Sequence, residues 1–230
     1  MKFQKGWFRI INRLKNYIVT KVLEKKLYVG NEEVKGWLSQ EDSYFLYLSV
    51  LFSRPKSILE IGHCFGKSTA AICQAIKDAE IKCRFDSFDL DFDSIEYYEE
   101  YFSSIHKQKI SIKPFTADVL RSGNTLSSVA QKNLTELNLE KYVNLITSDF
   151  RKSNFLSYDL IFADTMHEKE EIKNNLNDII KFSHSNTLFL FDDMKNENIS
   201  QIESSSSLVF VRRSGKVGLF THTTNKKIGS

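Results

Sequence analysis

Apolar positions along the chain fall into two rhythms: short runs of strand length, and longer stretches whose apolar residues return every three or four positions. The first strand-like run, KSILEIG over 56–62, ends at a glycine. CRFDSFDLD over 83–91 and YVNLITSDF over 142–150 follow, then YDLIFADT from 158 and NTLFLFDDM from 186. Between them STAAICQAIKDAEIK, TLSSVAQKNLTELNLE over 125–140 and EKEEIKNNLNDIIKFS predict helices, the last with Ile172, Leu176, Ile179 and Ile180 on one face. Ahead of the first strand, Ser39 with Asp42 three residues on forms a capping-box pattern before an apolar helical run through Phe45, Leu46 and Leu51. Near the other end, SLVFVRRSGKVGLFTH over 207–222 sets two alternating apolar runs around Ser214-Gly215, a hairpin signal.

Strands alternating with helices predict an α/β fold: a doubly wound, mostly parallel seven-stranded sheet, covered on both faces, with the hairpin as an antiparallel edge. Ligands of such sheets sit beyond the carboxyl ends of the strands, so chemistry is sought there. The stretch 92–124 holds Tyr97, Tyr98, Tyr101, Phe102, His106 and Phe115 without a clean period. It reads as a helix followed by an irregular insertion, of the kind that serves as a substrate lid. The division expected is an N-terminal extension over 1–36 and one domain over 37–230, since 230 residues are enough for one complete core and too few for two large ones.

The extension changes the picture of charge. Lys2, Lys5, Arg9, Arg13, Lys15, Lys21, Lys25 and Lys26 face the single acid Glu24, while Trp7, Ile10, Ile11, Leu14, Ile18 and Val22 recur at helical spacing. A basic amphipathic helix is expected, packing on the domain or on a second copy in a homo-oligomer, with peripheral membrane contact as the alternative. Its interspersed charges are unlike a secretory signal, and no apolar run in the chain is long enough to span a bilayer. The formal net charge of +3 is too small to argue for a nucleic-acid partner. Three cysteines, Cys64, Cys73 and Cys83, lack metal-ligand spacing, and a reduced, cytoplasmic protein is the expectation.

Candidate chemistry gathers at the predicted strand ends. In LEIGHCFGKST, Glu60 precedes Gly62 and Gly66 in a strand-to-helix turn where the backbone can approach a ligand and a helix supplies free N–H groups. The G-x-x-x-G spacing is neither the dinucleotide fingerprint nor a P-loop, which argues against a dinucleotide-dependent oxidoreductase. The second strand runs out at Asp89 and Asp91, and the third at Asp149. The fourth ends at Asp164, followed by Thr165, Met166 and His167, and the fifth at Asp192 and Asp193. Thr165 with Glu168 reads as a capping box opening the next helix, which leaves Asp164 and His167 unexplained. Carboxylates from neighbouring strand tips would repel unless a cation neutralised them, and an oxygen-only set suits Mg²⁺, Ca²⁺ or Mn²⁺. A histidine in the first turn of a helix would be kept neutral by the positive end of the dipole.

The E-x-G-x-x-x-G-x-S pattern of Glu60, Gly62, Gly66 and Ser68 resembles motif I of the class I S-adenosylmethionine-dependent methyltransferases, a Rossmann-like family. D-x-x-H after the fourth strand and paired acids after the fifth resemble its metal-dependent O-methyltransferases, the macrocin-type and cephalosporin-hydroxylase-like group called methyltransferase family 24. The resemblance covers roughly residues 37–195. It implies that the loop, with His63 beside the cofactor, wraps the methionine part of S-adenosylmethionine, that Asp89 holds the ribose and that Asp149 lies near the adenine. It further implies that Asp164, Asp192 and Asp193 bind Mg²⁺ or another divalent cation and that His167 is the general base. Thr165 and Met166 depart from the commoner D-G-D-H form. The expected activity is methyl transfer to a hydroxyl of a small acceptor, a sugar or secondary metabolite. The alternatives weighed are a nucleic-acid methyltransferase, which usually carries an Asn-Pro-Pro-Tyr type motif absent here, and a scaffold that binds cofactor without catalysis.

Overall fold

The computed structural model of the chain describes residues 36–223, except 37, 108, 110 and 155. The basic amphipathic helix expected before residue 36 lies outside the described residues. Helix α1 (Gln40–Ser53) leads into β1 (Ser57–Ile61), α2 (Lys67–Asp78) and β2 (Arg84–Asp89). Three helices follow, α3 (Ile95–His106), α4 (Pro114–Arg121) and α5 (Leu126–Glu136), before β3 (Asn144–Thr147) and β4 (Tyr158–Ala163). Helix α6 (Lys169–Ile180), β5 (Ser183–Phe191), α7 (Asn196–Ser205) and the hairpin β6 (Leu208–Ser214) and β7 (Val217–His222) complete the order. No described helix is long and apolar enough to cross a membrane.

The seven strands form one sheet in the order β3-β2-β1-β4-β5-β7-β6. Strands β1 to β5 pair in parallel, and β7 joins β5 and β6 antiparallel, which is the expected architecture. Strand side chains alternate between two cores, as a period of two demands. Ile58, Leu160, Phe162 and Leu190 pack with α1 and α2 through Leu46, Val50, Ile72 and Ile76. Leu59, Ile61, Ile161, Phe189 and Phe191 pack on the other face with Ile172 and Leu176 of α6 and Ile202 of α7. Leu46, Val50, Leu59 and Ile161 have no exposed surface, and complete burial of such a side chain stabilises the fold by about 1.5–3 kcal/mol.

Two local expectations are revised. The second half of the 92–124 segment is helix α4, not irregular chain, with Pro114 in its first turn where a missing N–H is harmless. Phe65, Phe92, Leu120 and Leu126 give this insertion a small core of its own, onto which Tyr98, Tyr101, Phe102 and Phe115 pack. The capping box before α6 is Glu168 with Glu171, three residues beyond the Thr165–Glu168 pair read from the sequence. Met166 explains the offset: it is fully buried in the core beneath α6, so the chain must pass inward at 166 before the helix can start.

Candidate active site

Strand register brings the acids together. Ile61 pairs with Ala163, and Ala163 with Phe191, so the residues that follow, Gly62, Asp164 and Asp192, leave three adjacent strands side by side. The Asp164 N–H donates to Ile61 O at 2.9 Å and the Asp192 N–H to Ala163 O at 3.2 Å, carrying the ladder one step past the strands. Gly62 has φ of +89°, and a Cβ there would stand 3.1 Å from Asp164 O, so only glycine fits between the loop and the acid. Three non-glycine residues at this rim, Cys64, Asp91 and Asp193, are left-handed at φ of 46°, 56° and 53°. Such conformations persist where surrounding structure holds them, and they cluster at functional sites.

The strand ends border a cavity of about 400 Å³, within the range of small-molecule sites. Gly62, Cys64 and Asp89 line one part, Asp149 and Arg151 a second, and Asp164, His167, Asp192, Asp193 and Lys216 a third. Tyr98, Tyr101 and Phe102 of α3 also line it, so the aromatic insertion covers the site. Tyr98 and Phe102 have ring centroids 4.6 Å apart, and both rings pack on Phe92.

Below the glycine loop, Glu60 is wholly buried, and Ser68, Thr69 and Ser87 donate hydroxyl hydrogen bonds of 2.6–2.7 Å to its carboxylate. Burial pushes the Glu60 carboxyl up while those hydroxyls and His63 pull it back. The Ser87 proton is committed to Glu60, so the Ser87 oxygen accepts from His63 Nδ1 at 3.0 Å, and His63 Nε2 meets Ser127 Oγ at 3.0 Å. Glu60, His63, Gly66 and Ser68 therefore shape the loop from behind and do not line the cavity. Asp89 does line it. Its Oδ2 accepts the Cys64 N–H at 2.7 Å, and its Oδ1 accepts the Asp91 N–H at 3.2 Å, which leaves lone pairs for a ligand. Asp91 instead accepts the Ser127 N–H at 2.8 Å in the first turn of α5. Asp149 is gripped by Arg151 through paired bonds of 2.9 Å and 2.7 Å, which hold its carboxyl below the usual range.

At the other end, His167 Nε2 lies 2.7 Å from Asp164 Oδ1, and Nδ1 lies 3.3 Å from Glu171 Oε2. Burial opposes the charged imidazolium, but these two carboxylates outweigh it and hold the His167 pKa well above the ordinary value. This corrects the expectation of a histidine kept neutral by the helix. His167 precedes the N-cap Glu168, and two full charges at hydrogen-bond range exceed a dipole's half charge. Asp192 is 8% exposed, and its Oδ1 has no hydrogen-bond partner among the described residues. Burial, then the charge of Asp164, pushes its carboxyl up to about 7.

Among the described residues, Asp164, His167 and Asp192 form a group whose ligand atoms all lie within 4.8 Å of one another. Asp193, expected in that set, is turned to Lys216, with Oδ1 2.9 Å from Nζ. Several supporting residues had no assigned role in the sequence. Glu171 stands in the EKEE run that opens α6, and its i+4 spacing from His167 is a usable signal. Asn198 donates to the His167 carbonyl at 3.1 Å, and Asn175 to the Thr165 carbonyl at 3.0 Å. Neither these asparagines nor Lys216 has a sequence pattern that points to the site.

Similarity to known proteins agrees with this geometry. The O-methyltransferase from Bacillus cereus, solved in complex with S-adenosylhomocysteine, is 14% identical with a TM-score of 0.53, over 95% of this chain and 99% of that one. The O-methyltransferase TomG from Streptomyces achromogenes, involved in tomaymycin synthesis and solved with S-adenosylmethionine, is 14% identical with a TM-score of 0.51, over 81% and 82%. A tRNA (m1A58) methyltransferase from Aquifex aeolicus is 16% identical with a TM-score of 0.53, over 87% and 75%, so the shared fold does not by itself choose the acceptor. No curated protein matches the sequence. Methyltransferase family 24, a methyltransferase domain, matches residues 59–194, more than half of the chain. The chain belongs to that family and is an S-adenosylmethionine-dependent methyltransferase of the class I fold.

Proposed function

We propose that this protein methylates a hydroxyl of a small acceptor, a sugar or similar metabolite, with the help of a divalent cation such as Mg²⁺. The observation that carries the reading is the single cavity that joins the Gly62–Cys64 loop and Asp89 to the Asp164, His167 and Asp192 cluster. The loop and Asp89 suit the methionine and ribose parts of the cofactor, and Asp149, fixed by Arg151, stands where an adenine would lie.

The acidic end fits a divalent ion on its own evidence. Asp192 carries a buried oxygen without a partner, beside Asp164, in a site where both carboxylates cannot comfortably be ionised together. A hard cation prefers the oxygens of Asp164 and Asp192 and leaves the nitrogen of His167 for proton transfer. When bound, such an ion lowers the pKa of a coordinated hydroxyl. The chain's own residues supply the rest. Glu171 fixes the His167 ring from below, and Asp164 aligns its Nε2. The aromatic face of α3 excludes water. With the charge of Asp164 offset by the ion it would hold, the neutral form of His167 becomes accessible and takes the hydroxyl proton as the C–O bond forms and the sulfonium C–S bond breaks.

Calorimetry with S-adenosylhomocysteine, with and without Mg²⁺, followed by labelled methyl transfer to a panel of hydroxylated small molecules, tests the reading. Cofactor binding and metal-dependent labelling of a hydroxyl are expected. Turnover that persists after chelation would remove the metal, and labelling only of RNA would replace the acceptor class.

A further inference from the structure

We infer that Lys216 is a positioning residue of the acidic centre: its ammonium withholds Asp193 from the divalent ion and supplies a built-in countercharge to the converging carboxylates. The inference rests on the metal reading above.

Among the described residues, Asp164, Glu171, Asp192 and Asp193 are four of the six carboxylates that border the cavity, and the basic groups His167 and Lys216, which also border it, pair with three of them. His167 is committed to Asp164 and Glu171, and its Nε2 stands 3.9 Å from Asp193 Oδ2, too far for a hydrogen bond. Lys216 Nζ is 2.9 Å from Asp193 Oδ1. This partnership accounts for Asp193 falling outside the cluster formed by Asp164, His167 and Asp192, although it is the neighbour of Asp192 in sequence.

The backbone of the lysine is anchored on both sides. Its N–H donates to Asp42 Oδ1 at 2.7 Å, and its carbonyl accepts the Met194 N–H at 2.8 Å, directly after Asp193. Gly215 beside it donates to Glu41 Oε1 at 3.0 Å, and a Cβ on Gly215 would collide with Asp42 Oδ1. The hairpin tip is therefore seated between α1 and the β5–α7 turn, with both peptide groups of residue 216 in use. Asp193 holds Lys216 protonated in return. Both α1 and Lys216 lie beyond the matched span of 59–194, so this arrangement is a property of this chain's flanking elements.

Mn²⁺ binding to the full-length protein, followed by calorimetry and by electron paramagnetic resonance of the free ion, tests the inference. Lys216→Met keeps the aliphatic stem, removes the charge and frees Asp193, and should bind Mn²⁺ about tenfold more tightly, the scale of one partly solvated charge contact. Lys216→Arg should behave as the parent does. Asp193→Asn leaves the Lys216 charge uncompensated and should weaken Mn²⁺ binding by a similar factor, whereas the double variant Lys216→Met with Asp193→Asn should bind as the parent does, because Asp193 is not a ligand. A Lys216→Met variant that binds no more tightly than the parent, or a double variant that binds clearly less tightly than the parent, as loss of a ligand would cause, overturns the inference while the metal reading stands. A parent protein that binds no Mn²⁺ overturns both.

Discussion

His167 Nε2 and Asp164 Oδ1 stand 2.7 Å apart, and Glu171 closes on the opposite ring nitrogen at 3.3 Å, so one imidazole is clamped between two acids from one loop and one helix. The clamp sets both the direction of the ring and its basicity. Removing the ring in His167→Ala should lower kcat by about 10²–10⁴, the usual range for a positioned acid or base, with S-adenosylhomocysteine affinity retained. Unchanged turnover in that variant would exclude His167 as the base.

Glu171→Gln probes the electrostatic half of the clamp. The His167 pKa is raised by Asp164 and Glu171, so loss of one carboxylate lowers it. The unprotonated base is then populated at lower pH, and the acidic limb of kcat/KM should move to lower pH. A limb that stays in place, or moves to higher pH, contradicts the assignment.

On the proposed metal reading, Asp192 should make cation binding depend on pH. Its carboxyl, pushed up to about 7, holds a proton below that value, and the proton must leave before the oxygen can bind a cation. Apparent Mg²⁺ affinity should therefore climb as pH rises through about 7, with proton release visible as a buffer-dependent heat. In chelator the sign for stability is opposite. A carboxyl whose pKa is raised on folding contributes stability that is present in full below its unfolded value of about 4 and is lost as pH rises to about 7, so Tm should fall between about pH 5 and about pH 7 and level off above it.

Gly62→Ala tests the closeness of loop and acid. A side chain at φ of +89° is strained, and its Cβ would press on Asp164 O at 3.1 Å. A loss of about 1–3 kcal/mol of stability is expected. Cofactor affinity and turnover should both drop by more than the unfolded fraction explains, because the carbonyl displaced belongs to Asp164.

Asp42 offers a stability test where α1 meets the hairpin tip. It is 1% exposed, its Oδ1 accepts the N–H groups of Lys216 and Val217, and its Oδ2 accepts from Ser39. Asp42→Ala leaves those buried donors unpaired, and urea unfolding should show a loss of about 1–3 kcal/mol or more. A change below about 0.5 kcal/mol would place the residue among ordinary surface positions.

The sheet was legible because its central strands are short apolar runs buried on both faces, and the glycine loop because its backbone conformation demands glycine at Gly62 and Gly66. The acids at 164 and 192 were legible as strand ends, since parallel register alone carries them side by side. What escaped was decided by contacts distant in sequence. Nothing local distinguishes Thr165 from an N-cap until Met166 is known to be buried, and nothing marks Lys216 until the hairpin is seated on α1. The protonation of His167 was misread because a dipole is a local quantity, whereas Glu171 reaches the ring only once the helix has formed.

Asp42 meets Lys216 across 174 positions of chain, so an element near the start of the domain is joined to one near its end at the rim of the cavity. Docking of the hairpin and the charge balance beside Asp193 are therefore one event: any loosening of the contact between α1 and the hairpin tip also draws Lys216 away from Asp193.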